Sequence, residues 1–211
     1  MKNIKYIFLL IFTAGFFSSC ERDLETEGLS RITYYPVLTI KGEQWNSVLV
    51  GDSFTDAGVT ATEGESEIEV TTTGTVNTSV PGVYTLTYTA TSKDGFSAST
   101  RRYVGVIDPA AAAMDLSGQY RRNVTAFGVS TVTKLGPGLY QSNNVGGVAV
   151  PGPSVTVKFY HWQGNKIGAP VQDVSGSEFS TINGTIIPGV SYTWTVINPG
   201  YGTAARTFVK L

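Results

Sequence analysis

The sequence predicts an all-β protein, and three observations carry that prediction. Aromatic residues are plentiful (11 Tyr, 10 Phe, 3 Trp) and are interleaved with Val, Ile and Thr, the residues that fit a pleated surface. Short runs alternate apolar and polar side chains, the period of a strand with one face covered. Glycine (24 residues) and proline (9 residues) punctuate those runs at the spacing of strands and turns. Charge then divides the chain. Residues 21–108 hold thirteen acids and six bases, whereas residues 109–211 hold three acids and seven bases. That asymmetry argues for two domains. The expected organisation is a β-sandwich over residues 31–108, a linker over 109–115, and an antiparallel β-domain over 116–211. The second domain reads as either a sandwich or a partly closed barrel.

Ahead of the strands stands an export signal. Lys2 and Lys5 precede an apolar run from Ile7 to Phe17, followed by Ser18, Ser19 and Cys20. The run is too short to span a bilayer comfortably, and small residues mark a cleavage point, so residues 1–19 read as a signal peptide. Phe17-Ser18-Ser19-Cys20 resembles a bacterial lipobox. The resemblance implies cleavage before Cys20 and acylation of its thiol, with the membrane as partner through that lipid. Cys20 is the sole cysteine, so no disulfide is available and stability must come from hydrophobic cores. Residues 20–30 read as a polar tether. Within it, Glu21, Asp23, Glu25 and Glu27 resemble the acidic stretch of Bacteroidetes-type surface lipoproteins, which implies the outer face of the outer membrane. A solvated linker is the other reading.

Each strand of the first domain has its own signal. Residues 32–40 are β-rich, with Pro36 marking an edge or a kink. Residues 67–73 alternate, with Ile68 and Val70 on one face. Residues 83–90 point Tyr84, Leu86, Tyr88 and Ala90 inward. Lys93-Asp94-Gly95 suits a hairpin turn because Asp-Gly tolerates positive φ. The chain then returns over 99–107 with Val104 and Val106 on one face. Trp45 falls in a loop-like stretch, and Asp52, Asp56 and Asp94 read as turn or surface acids rather than calcium ligands. The segments 51–61, 74–88 and 90–95 resemble the bacterial surface Ig-like domain, a likeness covering about residues 37–107. It implies an Ig-like sandwich serving as a spacer or adhesion module without chemistry of its own.

In the second domain, candidate strands are 118–126, 129–135, 138–142, 154–162, 178–183, 185–187, 190–197 and 204–211. Gly136-Pro137-Gly138, Asn143-Asn144, Pro151-Gly152-Pro153, Gly164-Asn165, Asn183-Gly184 and Pro199-Gly200 mark the turns, with Asn183-Gly184 as the strongest hairpin signal. Leu116 to Tyr120, Thr131 to Tyr140, and the stretch from Gly184 through Trp194 to Gly202 are similar to the C-terminal domain of small Bacteroidetes lipoproteins. Such proteins are often encoded beside starch-utilisation-type glycan uptake systems. That likeness implies a setting and transfers no catalytic residue.

Chemistry is sparse. His161 is the one histidine, and no Gly-x-Ser-x-Gly elbow accompanies it. One histidine without a spare cysteine gives no zinc site. The second domain offers only Asp115, Asp173 and Glu178 as carboxylates, with the latter two read as loop acids. The expectation is therefore no enzyme, no cofactor and no metal, and the thin basic excess excludes a nucleic-acid groove. Binding rests on aromatics. On the strand 154–162, Val155, Val157, Phe159 and His161 share one face, and Lys158, Tyr160 and Trp162 the other. Tyr160 and Trp162 either form an exposed sugar platform beside Lys158 or cover a second core face or a domain interface. Tyr192 and Trp194 read as core. Tyr140 and Tyr201 lie near turns. The functional expectation is a non-enzymatic accessory or glycan-binding surface lipoprotein. The alternative is an adhesion or assembly subunit of an outer-membrane transporter complex.

Overall fold

Sixteen strands and one short helix make up the described residues, 32–124 and 128–211, of the computed structural model. The signal segment, Cys20 and the tether lie outside those residues, as does the end of the candidate strand 118–126.

Seven strands build the first domain: β1 (Val37–Ile40), β2 (Trp45–Leu49), β3 (Val59–Glu63), β4 (Ser66–Ile68), β5 (Val70–Thr73), β6 (Gly82–Thr91) and β7 (Ser97–Ile107). They form two sheets, ordered β1-β3-β4 and β2-β7-β6-β5, with β2 parallel to β7 and the other pairs antiparallel. Leu86, Tyr88 and Ala90 of β6 and Val104 and Val106 of β7 are buried between them, the inward faces expected from alternation. The Lys93-Asp94-Gly95 turn forms as read, with Gly95 at φ 85° and the Ser92 and Phe96 backbones joined across it. Three readings change. The first strand begins only after Pro36. The run 67–73 is two strands, because the chain crosses between sheets at Glu69: Ile68 pairs with Ala61, and Val70 with Ala90. Trp45 lies on a strand, in register with Tyr103.

One polar network sits in this core. Arg102, 1 % exposed, donates to the Asp56 carboxylate and to the Lys41 and Gly58 carbonyls, and the Tyr88 hydroxyl donates to the same Asp56 oxygen at 2.8 Å. A buried guanidinium is tolerable only with such partners. Asp56 keeps the turn role read for it, accepting the Gly58 N–H at 3.0 Å from an exposed position, and is in addition the ion-pair partner of Arg102.

After β7, the residues read as a linker fold into α1 (Pro109–Ala113). Asp108 caps it by accepting from the Ala110 N–H at 2.8 Å, and Ala111 is buried. Lys134 and Tyr140 then hold the exit, since both donate to the Met114 carbonyl (2.9 and 2.7 Å).

The second domain comprises β8 (Gly118–Arg122), β9 (Val129–Gly136), β10 (Leu139–Ser142), β11 (Val157–Gln163), β12 (Lys166–Gly168), β13 (Gln172–Val174), β14 (Ser177–Ile187), β15 (Ser191–Ile197) and β16 (Ala205–Lys210). Eight of them run in the ring β12-β11-β10-β9-β8-β16-β15-β14, which closes where Lys166 pairs with Thr185. The strand β13 attaches to β14 beside that closure. The fold class is therefore all-β: an Ig-like sandwich followed by a closed eight-stranded barrel. Asn183-Gly184 does not turn a hairpin. It is a bulge inside the eleven-residue β14, where the pairing register shifts between Ile182 and Thr185. The same left-handed backbone (Asn183 φ 53°) serves a bulge as well as a turn.

Aromatic rings fill the barrel. Tyr192 stacks on Phe208 with centroids 4.6 Å apart, Phe159 meets Trp194 edge-on at 5.2 Å, and the Trp194 indole donates to the Val145 carbonyl at 2.9 Å. A void of only about 10 Å³ remains beside Tyr120 and Tyr192, as an eight-stranded barrel allows. That void is too small for a small-molecule ligand.

Candidate functional site

The site grows out of how the two domains meet. On β7, Arg102, Val104 and Val106 face the sandwich core, so Arg101, Tyr103, Gly105 and Ile107 face away from it. On β2, Trp45, Ser47 and Leu49 share that second face by register. A sheet facing water there would be polar, yet Arg102 to Ile107 are all buried. What covers them is β11. Tyr160 leaves the barrel wall and enters the sheet, forming a core with Tyr103, Ile107, Ala111 and Leu139. Its hydroxyl is shared between the carbonyls of Asn46 (3.0 Å) and Tyr103 (3.2 Å). Gly105 makes the room: a Cβ there would overlap the Tyr160 ring. Burial pushes the Tyr160 phenol well above its ordinary range.

Beside this contact the domains part and leave a cleft of about 550 Å³, within the ~300–1,000 Å³ typical of small-ligand sites. One wall comes from the sandwich, with Gln44, Trp45 and Arg101. The other comes from the barrel, with Gln141, Lys158 and Glu178. Trp45 is half-buried and stacks on Tyr103 at 4.1 Å, and the Lys158 ammonium sits 5.5 Å from its ring centre. Arg101 donates to Glu178 across the junction at 2.8 Å, a bond that raises the guanidinium's proton affinity further. The Tyr103 hydroxyl crosses too, donating to the Val171 carbonyl at 2.6 Å. Burial raises that phenol.

The placement of the anticipated residues is mixed. Alternation divides β11 as read, but the face carrying Tyr160 is the domain junction. Tyr160 is 0 % exposed and forms no sugar platform. Trp162 is half-buried and packs against the same junction core. Lys158 alone of the three lines the cleft. Tyr192 and Trp194 are core as expected, and Tyr140 is buried as well. His161 is sealed under the barrel wall with Nε2 at 2.7 Å from the Gly164 carbonyl, and burial lowers its pKa. Asp173 and Glu178, read as loop acids, are paired strand residues on β13 and β14 that line the cleft. Cys20 is outside the described residues. Among the described residues, no three His, Cys, Asp or Glu side chains gather in a metal-binding group. Sequence reasoning missed the strand of Trp45 because Trp45-Asn-Ser-Val-Leu49 lacks apolar–polar alternation and is only five residues long, ending at Val50-Gly51.

Residues 38–106 match the family model of the bacterial surface protein Ig-like domain. No curated protein matches the chain. Among solved structures, the lipoprotein BT2262 from Bacteroides thetaiotaomicron is similar at 24 % identity and TM-score 0.40, over 84 % of this chain and all of that one. The M60 catalytic domain with CBM51-1 and CBM51-2 from Clostridium perfringens ZmpB aligns at 15 % identity and TM-score 0.31, over 85 % of this chain and 21 % of the other. A third structure, CBM51-2 in complex with GlcNAc and INT domains from the same ZmpB, gives 16 % identity and TM-score 0.29, over 83 % of this chain and 41 % of the other.

Proposed function

We propose that this protein is a non-enzymatic, lipid-anchored accessory of the bacterial surface that binds a glycan in the cleft between its two β-domains. The observation that carries the reading is the cleft itself, with Trp45 beside a ring of amides, hydroxyls and charged groups from both domains. Sugars are recognised by that combination, with the aromatic meeting C–H groups while amides and hydroxyls meet the ring oxygens. The Ig-like module then contributes half of the site rather than serving as a spacer alone. Acylated Cys20 would hold the chain at the outer membrane. There, effective concentration compensates for modest single-site affinity.

Affinity electrophoresis of the full-length protein in detergent, through gels carrying a range of polysaccharides, tests the binding. Retardation by at least one polysaccharide is expected, and Trp45→Ala should lose it under conditions where the variant stays folded, although the lost stack on Tyr103 lowers its melting temperature. Co-purification with an outer-membrane transporter, and no retardation by any polysaccharide, would replace this reading with an assembly role. Cys20→Ser should move the protein from the membrane to the soluble fraction. Retention of that variant on membranes would sink the anchor assignment.

A further inference from the structure

We infer that the cleft selects an anionic saccharide, one carrying a carboxylate or a sulfate ester, and that Lys158 is its anion contact; this rests on the glycan-binding reading above. The charges lining the cleft are Arg101, Lys158, Asp173 and Glu178. Arg101 and Glu178 neutralise each other at 2.8 Å. Asp173 accepts the Gly176 N–H at 3.0 Å within its own turn and keeps its charge, so the cleft is neutral as a whole and any anion preference is local to Lys158. Lys158 differs. No carboxylate among the described residues lies within 4.0 Å of its ammonium.

That ammonium is placed rather than left to wander. The backbone of Lys158 is pinned on both sides by one side chain: Gln172 accepts from its N–H at 2.9 Å and donates to its carbonyl at 2.7 Å. The lysine stem is half-buried, and its head lies over the Trp45 ring. Gln141 faces Lys158 across the β10–β11 register, so a carboxamide and an ammonium stand side by side on the barrel wall. Both line the cleft, so both can donate to an anion held there. A neutral sugar would use the amides and leave the ammonium without an anion. An acidic sugar completes it, and a hydrogen bond to a charged group is the stronger kind.

The test uses the full-length protein in detergent, with paired ligands that differ only in charge. The pairs are polygalacturonate and alginate against their carboxyl-reduced forms, and sulfated galactans against their desulfated forms. At low salt the anionic member of at least one pair should bind about tenfold more tightly, the factor one charge-assisted contact supplies, and rising salt should erode the difference. Lys158→Gln should abolish the preference without shifting the melting temperature, and Lys158→Arg should keep most of it. The carboxylate and sulfate arms identify which anion is read. Equal binding of charged and neutral members would overturn the inference and leave glycan binding standing. Persistence of the preference in Lys158→Gln would overturn it in the same way. Absence of binding to every member would bring down both.

Discussion

At the scale of single residues, two positions decide more than their size suggests. Gly105 lies under the Tyr160 ring with no space for a methyl group. Gly105→Ala must push the barrel off the sheet or rotate Tyr160 out of its pocket, and overpacking of this kind costs ~1–3 kcal/mol. Urea denaturation should show that loss, whereas Gly95→Ala at the exposed turn should act only through its positive φ and leave the junction intact. Asp56 is the second position. Asp56→Asn leaves Arg102 buried without its counter-charge, and breaking a buried pair costs on the order of 3 kcal/mol. Replacing both residues by apolar ones should recover much of that loss, and a double-mutant cycle on Asp56 and Arg102 measures the coupling. Tyrosines set the alkaline limit. Burial, with the Asp56 hydrogen bond, pushes Tyr88 up to about 12 from 10.0, and burial pushes Tyr140 to about 12. Below pH 10 both folded and unfolded chains keep these protons, so stability should not change with pH on their account. Between pH 10 and 12 the unfolded chain ionises first and draws the equilibrium toward itself. Denaturation midpoints should therefore hold level up to that range and fall within it, and a flat profile to pH 12 would contradict the assignment.

At the scale of elements, the most informative piece is the bulge in β14. Gly184 lies against the Ile167 carbonyl of β12, where a Cβ would overlap the oxygen, so the bulge is also where the ring of strands closes. Gly184→Ala should pry that seam open. Amide exchange would then rise first in Lys166–Gly168 while the β8–β16 pairing stays protected. This element also marks the limit of what the sequence made legible. Strand existence was readable for β6, β7, β9, β11 and β15, and facing for β6, β7, β11 and β15, because one side of each meets a core and the other is a distinct set of side chains that meets threonines, solvent or, in β7 and β11, the other domain. Asn183-Gly184 misled because the dipeptide specifies a backbone angle, and that angle serves turns and bulges alike. Strands β12 and β13, three residues each, carried too few alternations to register. The cleft was half visible. Lys158 was placed on the correct face, but alternation reports that a face is distinct from the core and is silent on whether water or a second domain lies against it. Tyr160 was left open between an exposed platform and a domain interface for that reason, and it takes the interface.

At the scale of the whole molecule, the junction makes residues 35–211 one compact unit although they contain two folds. Tyr160, Tyr103, Ile107 and Leu139 belong to one cluster drawn from both. Calorimetry should accordingly record a single transition for the wild type, with equal calorimetric and van't Hoff enthalpies. Tyr160→Ala removes the shared ring, a loss of ~3–5 kcal/mol for a buried aromatic, and should separate the melting of sandwich and barrel. Two transitions in the wild type would refute the coupling. The stacked rings also have a mechanical meaning. Trp45 stacks on Tyr103 within the sandwich at 4.1 Å and meets Tyr160 of the barrel at a tilt, 5.9 Å away, with the Arg101–Glu178 bond bracing the same junction. A polymer held in the cleft and dragged by flow would load both domains together, in shear across those rings. The joint would carry the pull as a rivet does, and stretching one molecule should give one large rupture in place of two small ones.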